Sequence, residues 1–138
     1  MSRHRGDAGA VTTELVLLTP VLILMLLFVV ALGRMSTARA DVDAAARDAA
    51  RAAANARSTA AARTDGEYAA RSALTEGGVT CRHLSVDVST ADFRPGGTVT
   101  ATVGCDVDLA DLGPLGVPTS RTITARFTAP VDQYRGVT

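Results

Sequence analysis

The sequence predicts an α+β fold: a long N-terminal helix packed on a small three-stranded antiparallel β-meander. Three observations predict it. Leu15–Leu32 carries no charge and one polar side chain, Thr19. An alanine-rich stretch without Gly or Pro follows, from Met35 to Arg63. From Val79 onward apolar residues alternate with polar ones, the period of a half-buried strand rather than of a helix.

The chain is arranged around Glu14–Gly33, ELVLLTPVLILMLLFVVALG. At the rise of an α-helix this stretch is about 30 Å long, the thickness of a bilayer core. Arg34 ends it. The resulting layout is a leader over 1–9, a transmembrane helix over 10–34, an alanine-rich helical extension over 35–63 and an exported α+β head over 64–138. Arg3 and Arg5 in the leader fit the excess of positive charge on the cytoplasmic side. Two cysteines, Cys81 and Cys105, lie beyond the apolar segment and fit an oxidising compartment. The expected location is therefore the cytoplasmic membrane, crossed once, with the N-terminus inside and the head outside.

Composition narrows the function classes. The formal net charge is +0, and beyond Gly33 twelve arginines face twelve acids. No basic face for nucleic acid is expected. There is no Lys and no Trp, so the core must be built from Val, Leu, Ile and Ala. No nucleophile motif, phosphate-binding glycine loop, HExxH or metal-ligand spacing occurs. Neither enzyme activity nor a cofactor is expected. Asp106, Asp108 and Asp111 lie close together, but they lack the remainder of a calcium loop and read as a solvated face.

Small residues recur with helical spacing at Ala38, Val42, Ala45, Ala46, Ala49, Ala52, Ala53, Ala56 and Ala60. One helix is expected from about Val11 to about Arg63, since alanine has the best helix propensity. Pro20 removes one backbone N–H and should kink or loosen that helix. Thr64 or Asp65 would cap a short second helix over Glu67–Glu76, ending at Gly77-Gly78. Tyr68, Ala69, Ser72 and Ala73 would face inward.

The strand pattern has three parts. Leu84, Val86 and Val88 alternate with polar residues, and Pro95-Gly96-Gly97 marks a turn. Val99, Ala101, Val103, Cys105, Val107 and Leu109 then share a face. Leu112–Pro118 reads as a loop, and Ile123, Ala125, Phe127 and Ala129 alternate once more. The single apolar face of such a meander needs a cover, and the alanine-rich helix supplies it. Placing Val86 opposite Ala101 matches the faces of the first hairpin. In that register Cys81 meets Asp106. A Cys81–Cys105 disulfide then requires a one-residue bulge, or Cys81 lying just before the strand. The alternative is two buried reduced thiols.

The helix start holds one more pattern. Gly9 stands just before the apolar run, and Glu14 lies five residues later. A carboxylate inside a span needs the interface or a partner. Alone, Glu14 reaches the headgroups or complements the helix dipole. If the chain were cut after Gly9, the new α-amino group of Ala10 could pair with Glu14 of a neighbouring chain.

The stretch GAVTTELVLLTPVLILMLLFVVALG resembles the N-terminus of TadE-like proteins of the tight-adherence (Flp-type) pilus system. The resemblance covers about 25 residues. It implies a pilin-like fold and a minor pilin or pseudopilin acting in pilus assembly, secretion and cell adhesion. It implies prepilin peptidase cleavage between Gly9 and Ala10, with Glu14 at position five of the mature chain. Thr19-Pro20 resembles the leucine/valine-proline step common in such helices. The family's major pilins carry a bulky residue where this chain has Ala10. The implied partners are the membrane, other pilin-like subunits, a prepilin peptidase and the inner-membrane assembly platform, with a place in the pilus itself left open. A different class competes: a bitopic envelope binding protein, or one secreted by cleavage at Ala38-Arg39-Ala40, which fits an A-x-A site.

Overall fold

A computed structural model describes the chain over residues 8–108 and 120–134. Its elements are α1 (Ala8–Asn55), α2 (Thr59–Glu76), β1 (Cys81–Asp92), β2 (Thr98–Asp108) and β3 (Ser120–Pro130). The strands form one antiparallel sheet in the order β1-β2-β3. The meander and the long helix are thus present. The chain divides into two compact units, Met1–Ser36 and Thr37–Thr138, with the division inside α1.

The head core lies in the second unit. From α1 it takes Val42, Ala45, Ala46, Ala49, Ala50, Ala53 and Ala54, and from α2 Ala62, Ala70 and Leu74. From the sheet it takes Val88, Val99, Ala101, Val103, Cys105, Ile123, Ala125 and Ala129. The buried stripe on α1 is wider than the spacing of small residues implies. Ala50 and Ala54 are buried as well, whereas Ala60 lies outside α1 and is exposed. The extra width has a cause: α1 meets α2 as well as contributing to the core over the sheet. Four positions of α2, Ala62, Gly66, Ala70 and Leu74, are buried at a spacing of four. That is one row along the helix, and rows of small residues let helices approach closely.

Two corrections concern the helices. The long helix ends at Asn55, not near Arg63. Ser58 is in extended backbone and caps α2, its hydroxyl accepting from the Ala61 N–H at 3.2 Å. A serine side chain that satisfies an orphan N–H favours a helix start over a helix interior. Thr64-Asp65-Gly66 therefore lies inside α2, and Tyr68 points outward at 73% exposure. The end of α2 falls where expected. The Gly78 N–H donates to Thr75 C=O and the Val79 N–H to Leu74 C=O, with Gly78 at φ 71°. This is a Schellman closure, which needs the left-handed conformation glycine adopts freely.

Gly66 sits where three elements meet. A Cβ built there would lie 2.9 Å from Val88 Cγ2, 3.2 Å from the Ala49 carbonyl oxygen and 3.4 Å from Ala53 Cβ. Gly66 is thus a contact point, with no room for a side chain. Asp41 of α1 meets the other end of α2 and packs on Gly77. Its Oδ2 is buried, without a hydrogen-bond partner among the described residues. An unsatisfied acceptor costs about 1–3 kcal/mol, and the carbonyl end of a helix is the wrong pole for a carboxylate. Asp41→Ala should therefore stabilise the head by about 1 kcal/mol. Urea unfolding of the full chain in detergent, followed by proteolysis of the head, checks this; a lower midpoint would refute it.

The hairpin register also differs from the expectation. Val86 lies opposite Val103, not Ala101. The turn decides this. Arg94 C=O accepts from the Gly97 N–H at 2.8 Å, with Pro95 second in the turn and Gly96 third at φ 76°. Pro followed by a left-handed Gly is the type II pattern. It centres the hairpin on Pro95-Gly96 and moves the pairing by two residues, which leaves the faces unchanged. The extra residues are taken up by irregularities between Ser89 and Asp92 and between Cys81 and His83.

The second irregularity carries the disulfide. Cys81 pairs with Val107 while His83 pairs with Asp106, so Arg82 is the extra residue. The bulge flips Cys81 onto the face of Leu84 and Cys105. Cys81 and Cys105 are bonded, with Cα atoms 5.3 Å apart. Val99, Ala101, Val103 and Cys105 are buried as one face, while Leu109 lies outside the described residues.

Candidate functional site: the apolar helix

The first unit is the N-terminal part of α1. From Val16 to Leu32 its large apolar side chains are all exposed, from 47% at Val30 to 70% at Leu17. The apolar window of this helix has a mean hydropathy of 2.9, and none of it is buried. Each such side chain gains about 1.5–3 kcal/mol on leaving water. A continuous apolar surface of this kind calls for lipid or for other helices.

Leu15–Leu32 therefore sits in a helix long and apolar enough to cross a membrane. α1 begins at Ala8, so Gly9 and Ala10 are backbone residues of the helix rather than a preceding coil. Glu14 lies about 1.7 turns after Ala8 by sequence, at the edge of the charge-free run. Pro20 is inside α1, which continues through it. Its missing N–H leaves the carbonyl four residues earlier, that of Val16, without its helical donor. Membrane helices tolerate such a position. The leader residues 1–7 lie outside the described residues.

The remaining candidates fall in the head. Ala38 packs against its core from within α1, and Ala38-Arg39-Ala40 is helical throughout. Thr122 donates to Asp106 Oδ1 across the strands. Asp111 lies outside the described residues. Among the described residues no group of three or more His, Cys, Asp or Glu is placed to hold a metal ion. Sequence reasoning missed the cap role of Ser58 and the packing roles of Gly66 and Asp41. Ser58 was legible in principle, as a cap residue after Asn55-Ala56-Arg57; the other two acquire meaning only from what packs on them.

A single exposed apolar helix joined to a small α+β head defines a candidate single-pass membrane protein. Residues 9–51 match the model of the family described as TadE-like protein. The match begins at Gly9, includes Glu14 and Pro20, and ends on α1 at Arg51. This segment is thus TadE-like, and that family belongs to Tad/Flp pilus-related systems. No curated protein and no solved structure matches the chain.

Proposed function

We propose that the chain is a minor pilin or pseudopilin-like structural protein in the assembly of a tight-adherence (Flp-type) pilus. It would act by packing its N-terminal helix side by side with those of other pilin-like subunits. The observation that carries this reading is the coincidence of the family match with α1: residues 9–51 fall within Ala8–Asn55. On this reading a prepilin peptidase cuts between Gly9 and Ala10. The freed amine of Ala10 pairs with Glu14 of a neighbour and sets the axial offset between subunits. Pro20 loosens the helix where subunits pack. The assembly platform of the inner membrane is the site of that packing, and the head is outside. No catalytic role is assigned to any residue.

The test is the mass and N-terminal sequence of the native chain. A mature start at Ala10 supports the reading. A start at Asp41 shows secretion by cleavage after Ala40, and an intact Met1 shows an anchor without processing. Glu14→Ala should leave membrane insertion intact and reduce assembled pili about tenfold, as losing a pair worth 1–2 kcal/mol at membrane depth would. Pili at the normal level in that variant would remove Glu14 from the subunit contact.

A further inference from the structure

Among the described residues β1 and β3 are the two edge strands of the sheet. Free edges present unpaired backbone groups and are usually blunted or covered. They are not equivalent here. β3 pairs with β2 over Ser120–Pro130 without a register shift, so it is a regular edge. β1 is regular only over His83–Ser89, between two shifts. Beside it runs a groove of about 710 Å³ lined by Arg63 and Glu67 of α2 and by residues 86–91 of β1. On the core face of β1, Leu84 and Val86 remain half-buried, whereas Ile123 and Ala125 of β3 are buried.

The two edges also differ in charge. Asp87 lies on the outer face of β1 and pairs with Thr102, which pairs with Arg126 on β3. Asp87 and Arg126 are thus at one level of the sheet, on the same face, one at each edge. β1 and β3 run in the same direction, since each is antiparallel to β2. A second copy placed beside the first by a sideways repeat would bring its β3 against β1 in parallel. At matched level that sets Arg126 beside Asp87, Ala125 beside Val86 and Ile123 beside Leu84. Like faces meet throughout. The alternatives gain less: pairing β1 with β1, or β3 with β3, places no arginine opposite Asp87 within His83–Ser89.

We propose that the β1 edge of the head is a docking site for the β3 edge of a second copy of this chain, held by a parallel ladder and an Asp87–Arg126 pair. The contact is heterologous, so in a joined pair one head keeps its β3 edge and the other its β1 edge, and the sheet can continue through a row of heads. This goes beyond packing through the N-terminal helix, and it does not depend on cleavage after Gly9.

Two differently tagged full-length chains, co-expressed in their membrane, test it. One carries Ser85→Cys and the other Thr124→Cys, which are level and exposed and leave both charges in place. Mild oxidation should give a linked pair bearing both tags. Asp87→Arg in the first chain should lower that yield about fivefold, and Arg126→Asp in the second should restore it, the size expected of an exposed ion pair. Linked pairs of a single tag, no linked pair, or a yield indifferent to the charge reversals would each overturn the proposal. A chain that retains Met1 but forms the two-tag pair would refute the processing reading and leave this contact standing.

Discussion

Gly66→Leu should cost the head about 3 kcal/mol, the upper range for forcing atoms into a closed site. Even a Cβ at this position comes within 2.9 Å of Val88 Cγ2 and 3.2 Å of the Ala49 carbonyl oxygen. A side chain here must push α2 away from α1, from β1, or from both. Helix propensity favours leucine over glycine by roughly 1 kcal/mol, so the sign of the result decides between propensity and packing. The steric term wins because one of the blocking atoms belongs to the backbone of α1 and cannot rotate aside. The measurement is the urea midpoint of the full chain in detergent, read by protease resistance of the head. A midpoint at or above that of the parent would mean that the helices do not meet at Gly66. Gly66→Ala should fall between the two, since its gain in propensity offsets part of a smaller clash.

Removing the disulfide should be as damaging. Cys81 and Cys105 close a loop with a sequence separation of 24, which in the loop-entropy picture is worth about 3 kcal/mol. That is a large share for a small head whose buried side chains are mostly alanine and valine. The bond also fastens β1 at its bulged end, where the ladder is interrupted between Cys81 and His83. Cys81→Ser with Cys105→Ser should lower the urea midpoint by an amount matching that loss and leave the N-terminal helix in the membrane. The reduced parent chain should behave like the double variant. If reduction left the midpoint unchanged, the bridge would contribute nothing to the head.

Much of this protein is written in local sequence. The run from Leu15 to Leu32 declares an apolar helix, because eighteen residues without a charge have few other fates. Alternation from Leu84 onward declares strands, and Pro95-Gly96 declares the turn between them. The Gly9-to-Glu14 spacing, with the apolar run behind it, led to the TadE-like segment that the family model matches at residues 9–51. These signals are short-range: each depends on residues that are neighbours along the chain.

Placement decided the rest. The choice between one long helix and a helical hairpin turned on Ser58, a single hydroxyl that satisfies an N–H three residues on. Alanine spacing runs through that point unbroken, so periodicity alone cannot show the break. Hairpin register depended on where Pro95-Gly96 sits between two strands of uneven length, because a shift of two residues preserves every face and leaves no trace in the pattern. The roles of Gly66, Asp41 and the Asp87–Arg126 level come from residues far apart in sequence that tertiary packing brings together. Local patterns fix which elements form and which faces are apolar, since those follow from backbone period and water. Which element touches which, and with how much room, is fixed only when the faces close on one another.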